Sequence, residues 1–172
     1  MPFITGSRAR GAGLSLIFSA AAFAASPALA ATTSSTLSVD ATVTANCTVS
    51  TTALSFGSVN PIGGSNVDGA GGITVTCTNG TAWTAAAGIG SGSGASFASR
   101  RMTAGSDLLN YNLYTNAGRT TVWGDGSGST ATVGSTGTGA AQNVTIYGRV
   151  GSGQTSVPPG SYSDTVSVTV TY

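Results

Sequence analysis

The chain has 172 residues, with six arginines, five aspartates and a formal net charge of +1, and it contains no histidine, glutamate or lysine. Histidine is the side chain whose unperturbed pKa suits acid–base work near neutrality, and zinc sites are built from histidine or several cysteines, so this composition points away from an enzyme and from a metal or other cofactor. Scattered arginines cannot neutralise many phosphates, which argues against a nucleic-acid partner.

Residues 1–30 read as an export leader. Arg8 and Arg10 give a positive start, Gly11–Ala25 is a short apolar run, and Ala28-Leu29-Ala30 has the small–x–small pattern of a cleavage site. The run falls short of the about 20 apolar residues that span a bilayer, so no membrane span is expected in the mature chain. Cleavage after Ala30 leaves residues 31–172, with four arginines against five aspartates and a formal charge of 4 − 5 = −1. The length suits one domain with a real core.

Beyond the leader the sequence is rich in Gly, Ser, Thr, Ala and Val, and its apolar residues recur with the period two of a β-strand. Polar residues 31–36 precede the run Leu37, Val39, Ala41, Val43, which alternates with Ser38, Asp40 and Thr42. Cys47 and Cys77 are the only cysteines, and in an exported chain an even pair reads as one disulfide. Ile73, Val75 and Cys77 alternate with threonines; Leu109, Tyr111 and Leu113 alternate with Asn110, Asn112 and Tyr114; Val144 and Ile146 follow the same rule. Asn60-Pro61, Gly63-Gly64, Asn79-Gly80 and Pro158-Pro159-Gly160 punctuate these runs as turns. Gly88–Gly94 has the look of a phosphate loop without its lysine, Asp125–Gly128 that of a calcium loop without its closing glutamate. The stretch Gly124–Gly139 is expected to be a long surface loop. No 3.6-residue period appears, so the fold class is all-β, a sandwich or barrel.

The last run, Val166, Val168, Val170 and Tyr172, reads as a strand that stops with the chain and leaves a sheet position open beside it, a hazard unless filled. The run Leu37–Val43 has the pattern to fill such a position, by folding back on its own domain or by adding to a neighbouring subunit. It reads equally well as an ordinary first strand.

Ordered motifs from about Ser35 to Tyr172 resemble the spore coat protein U domain family, which includes the archaic chaperone–usher pilins. They are Ala45-Asn46-Cys47-Thr48-Val49, Leu54-Ser55-Phe56-Gly57, Val75-Thr76-Cys77-Thr78, Arg101-Met102, Leu109–Tyr114, Val122–Gly126 and Gly160-Ser161-Tyr162-Ser163-Asp164-Thr165-Val166. The resemblance implies an incomplete immunoglobulin-like β-sandwich completed by a donor strand from a neighbouring subunit. It divides the chain into leader (1–30), N-terminal donor extension (31–44) and pilin domain (45–172). Leu37, Val39, Ala41 and Val43 match the donor strand; Val166, Val168, Val170 and Tyr172 match the last strand beside the acceptor groove; Cys47 and Cys77 match the family's disulfide.

The implied function is that of a structural pilus (fimbria) subunit, supporting adhesion and biofilm formation, exported through the periplasm to the cell surface. Its implied partners are identical or related pilin subunits, a periplasmic chaperone and an outer-membrane usher. The alternatives are a secreted spore-coat or surface-layer protein, and a small carbohydrate-binding module that would stack sugars on Trp83 and Trp123, although core packing suits those tryptophans better.

Overall fold

A computed structural model describes residue 27 and residues 29–172. The leader read over residues 1–30 therefore lies outside the described residues, apart from Pro27, Leu29 and Ala30. The chain divides into two units, residues 1–40 and residues 41–172, and every strand among the described residues belongs to the second. No helix among the described residues is long and apolar enough to cross a membrane.

Among the described residues ten strands form two sheets, as the period-two pattern leads one to expect. The larger sheet centres on a long antiparallel ladder between β2 (Val67–Cys77) and β9 (Ala141–Val150), in register from Val67↔Val150 to Thr76↔Ala141. β1 (Cys47–Thr52) pairs with the outer side of β2, and β5 (Asp107–Tyr114) with the other side of β9. β4 (Arg100–Ala104) and the short strands β6 (Val122–Trp123) and β7 (Thr130–Ala131) complete a seven-stranded sheet. The smaller sheet has three strands in the order β10 (Val168–Thr171), β3 (Ala82–Ala87), β8 (Val133–Thr136). The core between the sheets holds Ile73, Val75, Trp83, Ala85, Leu113 and Ile146, all on the inward phase of their strands.

Cys47 and Cys77 face each other across the β1–β2 ladder and form the disulfide. Covalent closure here ties an edge strand, whose residues 48–52 are exposed, to the central ladder. In the chain-entropy view a loop of this length stabilises by about 3–4 kcal/mol. The expectation of a surface loop over Gly124–Gly139 is corrected: this stretch contains β7 and β8, and β8 forms one edge of the smaller sheet. It was hidden because Val133 is its one large aliphatic residue, while its pairing with β3 comes from the backbone. The likeness of Asp125–Gly128 to a calcium loop has a local explanation: Asp125 accepts hydrogen bonds from Ser127 N and Thr130 Oγ1 within one turn.

A buried cation ties the two sheets together. Arg100, at the start of β4, is fully buried, and no carboxylate among the described residues makes an ion pair with it. Its Nε and one terminal nitrogen donate to the carbonyl of Gly88, just after β3. The same nitrogen donates to Trp123 O, at 2.7 Å, and the other donates to Asn112 Oδ1, at 2.6 Å. Phe97 covers the guanidinium with its ring. Burial lowers the pKa of Arg100, but an arginine titrates too high to lose its proton, so the charge has to be solvated by these oxygens. Three strands of the larger sheet and the exit of β3 are thereby fixed to one side chain.

Arg100→Met keeps the bulk and removes every donor, leaving Gly88 O, Trp123 O and Asn112 Oδ1 short of partners. Asn112 Oδ1 keeps the Leu113 N–H, and each acceptor left without its partner costs about 1–3 kcal/mol, so urea denaturation of the exported chain should show a loss of at least about 2 kcal/mol. Arg100→Lys should rescue little, since an ammonium lacks the planar fork. A methionine variant within about 0.5 kcal/mol of wild type would show that the fold does not rely on this clamp.

Candidate functional site

Three strands cannot cover a seven-stranded sheet. Beside β10, on the side away from β3, the inner face of the larger sheet is left open as a trough of about 400 Å³. Its floor is apolar, with Ile73 from β2, Ile146 from β9, Tyr111 and Leu113 from β5, and Trp123 from β6. Residues 51–54 and Phe56 contribute from the β1 side, and residues 162–166 with Val168 from the β10 side. A second hollow of about 580 Å³ shares Leu54, Phe56, Met102 and Tyr162 with the trough and continues it toward Val157 and Pro158.

Glycines bring one wall down onto the sheet. Leu54 and Phe56 lie over Gly69 and Gly148 on the central ladder, and a Cβ on Gly148 would stand 2.8 Å from both side chains. A larger residue at Gly148 would have to displace both side chains, and a Cβ at Gly69 would meet Ser55 O at 2.8 Å, where the backbone of this segment itself would have to shift. Phe56 then meets the Tyr111 ring edge-on, with centroids 6.0 Å apart.

The other wall is the approach to β10. Residues 162, 164, 166, 168 and 170 all turn inward, the alternation of a strand. Val166 and Val168 line the trough. Val170 packs against the core, while Tyr172 lies past the end of β10 and is mostly exposed. Regular pairing begins only at Val168, later than the run from Val166 suggests, and Ser163 instead bridges to Thr103 of β4. β10 has β3 on one side and no strand of the described residues on the other.

The run Leu37–Val43 has no regular secondary structure, and Leu37, Val39 and Val43 are 88%, 83% and 83% exposed. Such large aliphatic side chains are seldom left together in water without a purpose. Trp83 and Trp123 are buried, with their indole N–H groups donating to Gln142 Oε1 and Ala85 O. Trp83 packs in the core and Trp123 reaches the surface only as part of the trough floor, with 3% of its area exposed, so neither is an open stacking platform. Periodicity missed Leu54, Phe56, Met102 and Asp164 as members of the site. The first three stand on short or irregular segments, but Asp164 is in phase with Val166 and Val168 and could have been found by extending that run backward.

Tyr111 carries the polar feature of the trough. Its hydroxyl donates to Asp164 Oδ2 at 2.7 Å, and burial followed by this hydrogen bond raises its pKa well above the ordinary phenol range.

Comparison with known proteins agrees with the all-β fold. The sequence profile described as Spore Coat Protein U domain matches residues 33–169. A protein of Myxococcus xanthus called Protein U is 36% identical over 162 residues, covering 86% of this chain and 89% of its own. Among solved structures, the complex of the chaperone CsuC with the tip adhesion subunit CsuE, from the archaic chaperone–usher Csu pili of Acinetobacter baumannii, matches with a TM-score of 0.54 at 19% identity. The match covers 76% of this chain and 40% of that one, so this chain corresponds to less than half of that chain's length. At this identity the likeness is one of fold.

A phenol whose folded pKa is raised stabilises the fold fully below its unfolded pKa of about 10, and that contribution disappears as pH rises toward the folded value. Alkaline titration of tyrosinate absorbance should therefore show a late-ionising group that Tyr111→Phe abolishes. An unchanged titration in that variant would contradict the Tyr111–Asp164 geometry.

Proposed function

We propose that this chain, which belongs to the spore coat protein U domain family, is a structural subunit of a chaperone–usher pilus that polymerises by strand donation. The observation that carries the reading is the pairing of an open apolar trough beside the bare edge of β10 with an exposed, alternating segment over Leu37–Val43. Each is unfavourable alone, and each has what the other lacks. In strand addition the backbone bonds of an edge supply affinity, and pockets for alternate side chains supply specificity. Leu37, Val39 and Val43 would each contribute about 1.5–3 kcal/mol on burial, with Ala41 adding less, against the cost of fixing the segment in one extended conformation.

In this reading residues 1–30 are removed on export, residues 31–44 form the donor extension and residues 45–172 form the acceptor domain. Leu37, Val39, Ala41 and Val43 enter the trough of the next copy, beside Val166, Val168 and Val170. The bare edge needs cover before assembly, which a periplasmic chaperone provides, and the fold shared with a chaperone-bound pilus subunit supports that partner. An outer-membrane usher then orders the subunits at the cell surface, where the polymer serves adhesion and biofilm formation. The role is mechanical, and no substrate chemistry is assigned to it. A secreted coat protein that never polymerises shares the sandwich but gives the trough and the exposed donor run no task.

Two substitutions on opposite faces of the donor test the reading. Val39→Asp places a charge in an apolar site, at a cost of several kcal/mol. Asp40→Asn alters the other face and should cost within about 0.5 kcal/mol. Surface polymer should vanish in Val39→Asp while chaperone-bound subunit still accumulates in the periplasm, and Asp40→Asn should assemble normally. Loss of the subunit itself in Val39→Asp would make residues 37–43 an ordinary core strand, and equal tolerance of both changes would remove them from assembly.

A further inference from the structure

The last segment of the chain changes sheets. At Ser163 it exchanges two backbone hydrogen bonds with Thr103 of β4, at 2.8 and 3.1 Å, in the larger sheet. By Ser167, whose carbonyl accepts from Gly88 N at 2.9 Å, it has joined the smaller one. Between these anchors residues 164–166 make no cross-strand backbone bond among the described residues. This free span is also the part of the trough wall that carries Asp164 and Val166.

Asp164 ties the span down from the middle. Its Oδ2 accepts from the hydroxyl of Tyr111 on the trough floor, at 2.7 Å. Its Oδ1 accepts from both the backbone N–H and the hydroxyl of Ser91, each at 2.7 Å. Ser91 belongs to the glycine-rich stretch that resembled a phosphate loop, and the structure gives that stretch another use. Gly90 adopts φ +90°, and a Cβ there would collide with the Asp164 carboxylate. Gly88 offers its carbonyl to Arg100 and its N–H to Ser167. The glycines therefore let the loop come close enough to grip the crossing segment, and the loop is itself held by the buried clamp.

An empty apolar trough is under pressure to close, because bringing its walls together removes apolar surface from water. Val166 stands on the span that no cross-strand bond restrains, whereas Val168 is already held in the ladder with β3. A carboxylate in phase with two valines on a strand is a costly choice unless it is fully hydrogen-bonded, and here both oxygens are used.

We infer that Asp164 is a positioning residue for strand acceptance: by fixing the crossing segment to Tyr111 and Ser91, it keeps Val166 from folding into the empty trough and holds it ready for residues 37–43 of a second copy. The inference rests on the pilus-subunit reading and deepens it.

The test measures binding of a fluorescent peptide of residues 31–44, in excess, to the full exported chain. Wild type should bind. Asp164→Ala should weaken binding about tenfold or more, and the isosteric Tyr111→Phe about three- to tenfold, as expected for lost bonds to a charged acceptor. Asp164→Asn, which can still accept from Ser91 and can donate to the tyrosine oxygen, should recover most of the affinity. Val75→Ala, a core truncation outside the trough lining, should lower the melting temperature and leave the affinity unchanged. If Asp164→Ala fails to fold, Tyr111→Phe decides. Wild-type affinity in Tyr111→Phe and Asp164→Ala would overturn the inference alone, as would losses that merely track melting temperature in all variants. Absence of binding by wild type would overturn the pilus-subunit reading and this inference with it.

Discussion

The outer edge of β10 carries backbone N–H and C=O groups with no strand of the described residues beside them, and the space in front of that edge is an apolar trough. A self-sufficient sandwich closes such a space with its own chain, because an unpaired edge invites aggregation and exposed aliphatic surface costs free energy at each methylene. Most other features of this molecule can be understood as ways of keeping that opening in shape. The long β2–β9 ladder supplies a rigid floor, and its glycines let Leu54 and Phe56 form a wall without lifting off the sheet. The disulfide secures β1, the edge strand from which that wall continues.

Polar interactions hold the rest. A buried guanidinium with no carboxylate partner is expensive, and it persists because backbone and amide oxygens replace its hydration. The cost is offset by connectivity: Arg100 joins β4, β5, β6 and the exit of β3 at one point. That exit loop in turn reaches Asp164, and Asp164 reaches Tyr111. Near the surface a second group of charges does something more modest. Arg149 and Arg119 both contact Asp68, the hydrogen bond from Arg149 lowers the Asp68 pKa, and solvent screens the stabilisation. The buried arginine defines how the sheets meet, whereas the two ion pairs on Asp68 brace one side of the central ladder, Arg119 also donating to Gly148 O.

Much of this was legible in the sequence, and the failures follow a physical pattern. Strands with one buried face announce themselves, so the runs around Ile73, Leu109 and Val144 emerge from period two. Strands of small residues do not: β3 reads Ala-Trp-Thr-Ala-Ala-Ala and β8 reads Val-Gly-Ser-Thr, and their pairing is set by backbone bonds and by partners remote in sequence. Arg100 looked like any surface arginine, since burial of a charge depends on oxygens from three distant segments. For Leu37–Val43 the pattern gave a strand, but the choice between core and donor is invisible in periodicity. The exposure of Leu37, Val39 and Val43 bears on that choice.

Hydrogen exchange on assembled and unassembled forms of the exported chain is the direct measure of whether β10 is completed by another copy. Strand addition would bury and hydrogen-bond amides on both partners, so assembly should protect residues 37–43 and the outward amides of β10 together, by many-fold slower exchange. Protection of neither, or of β10 without residues 37–43, would contradict the account, because the edge would then be left bare or covered by something else.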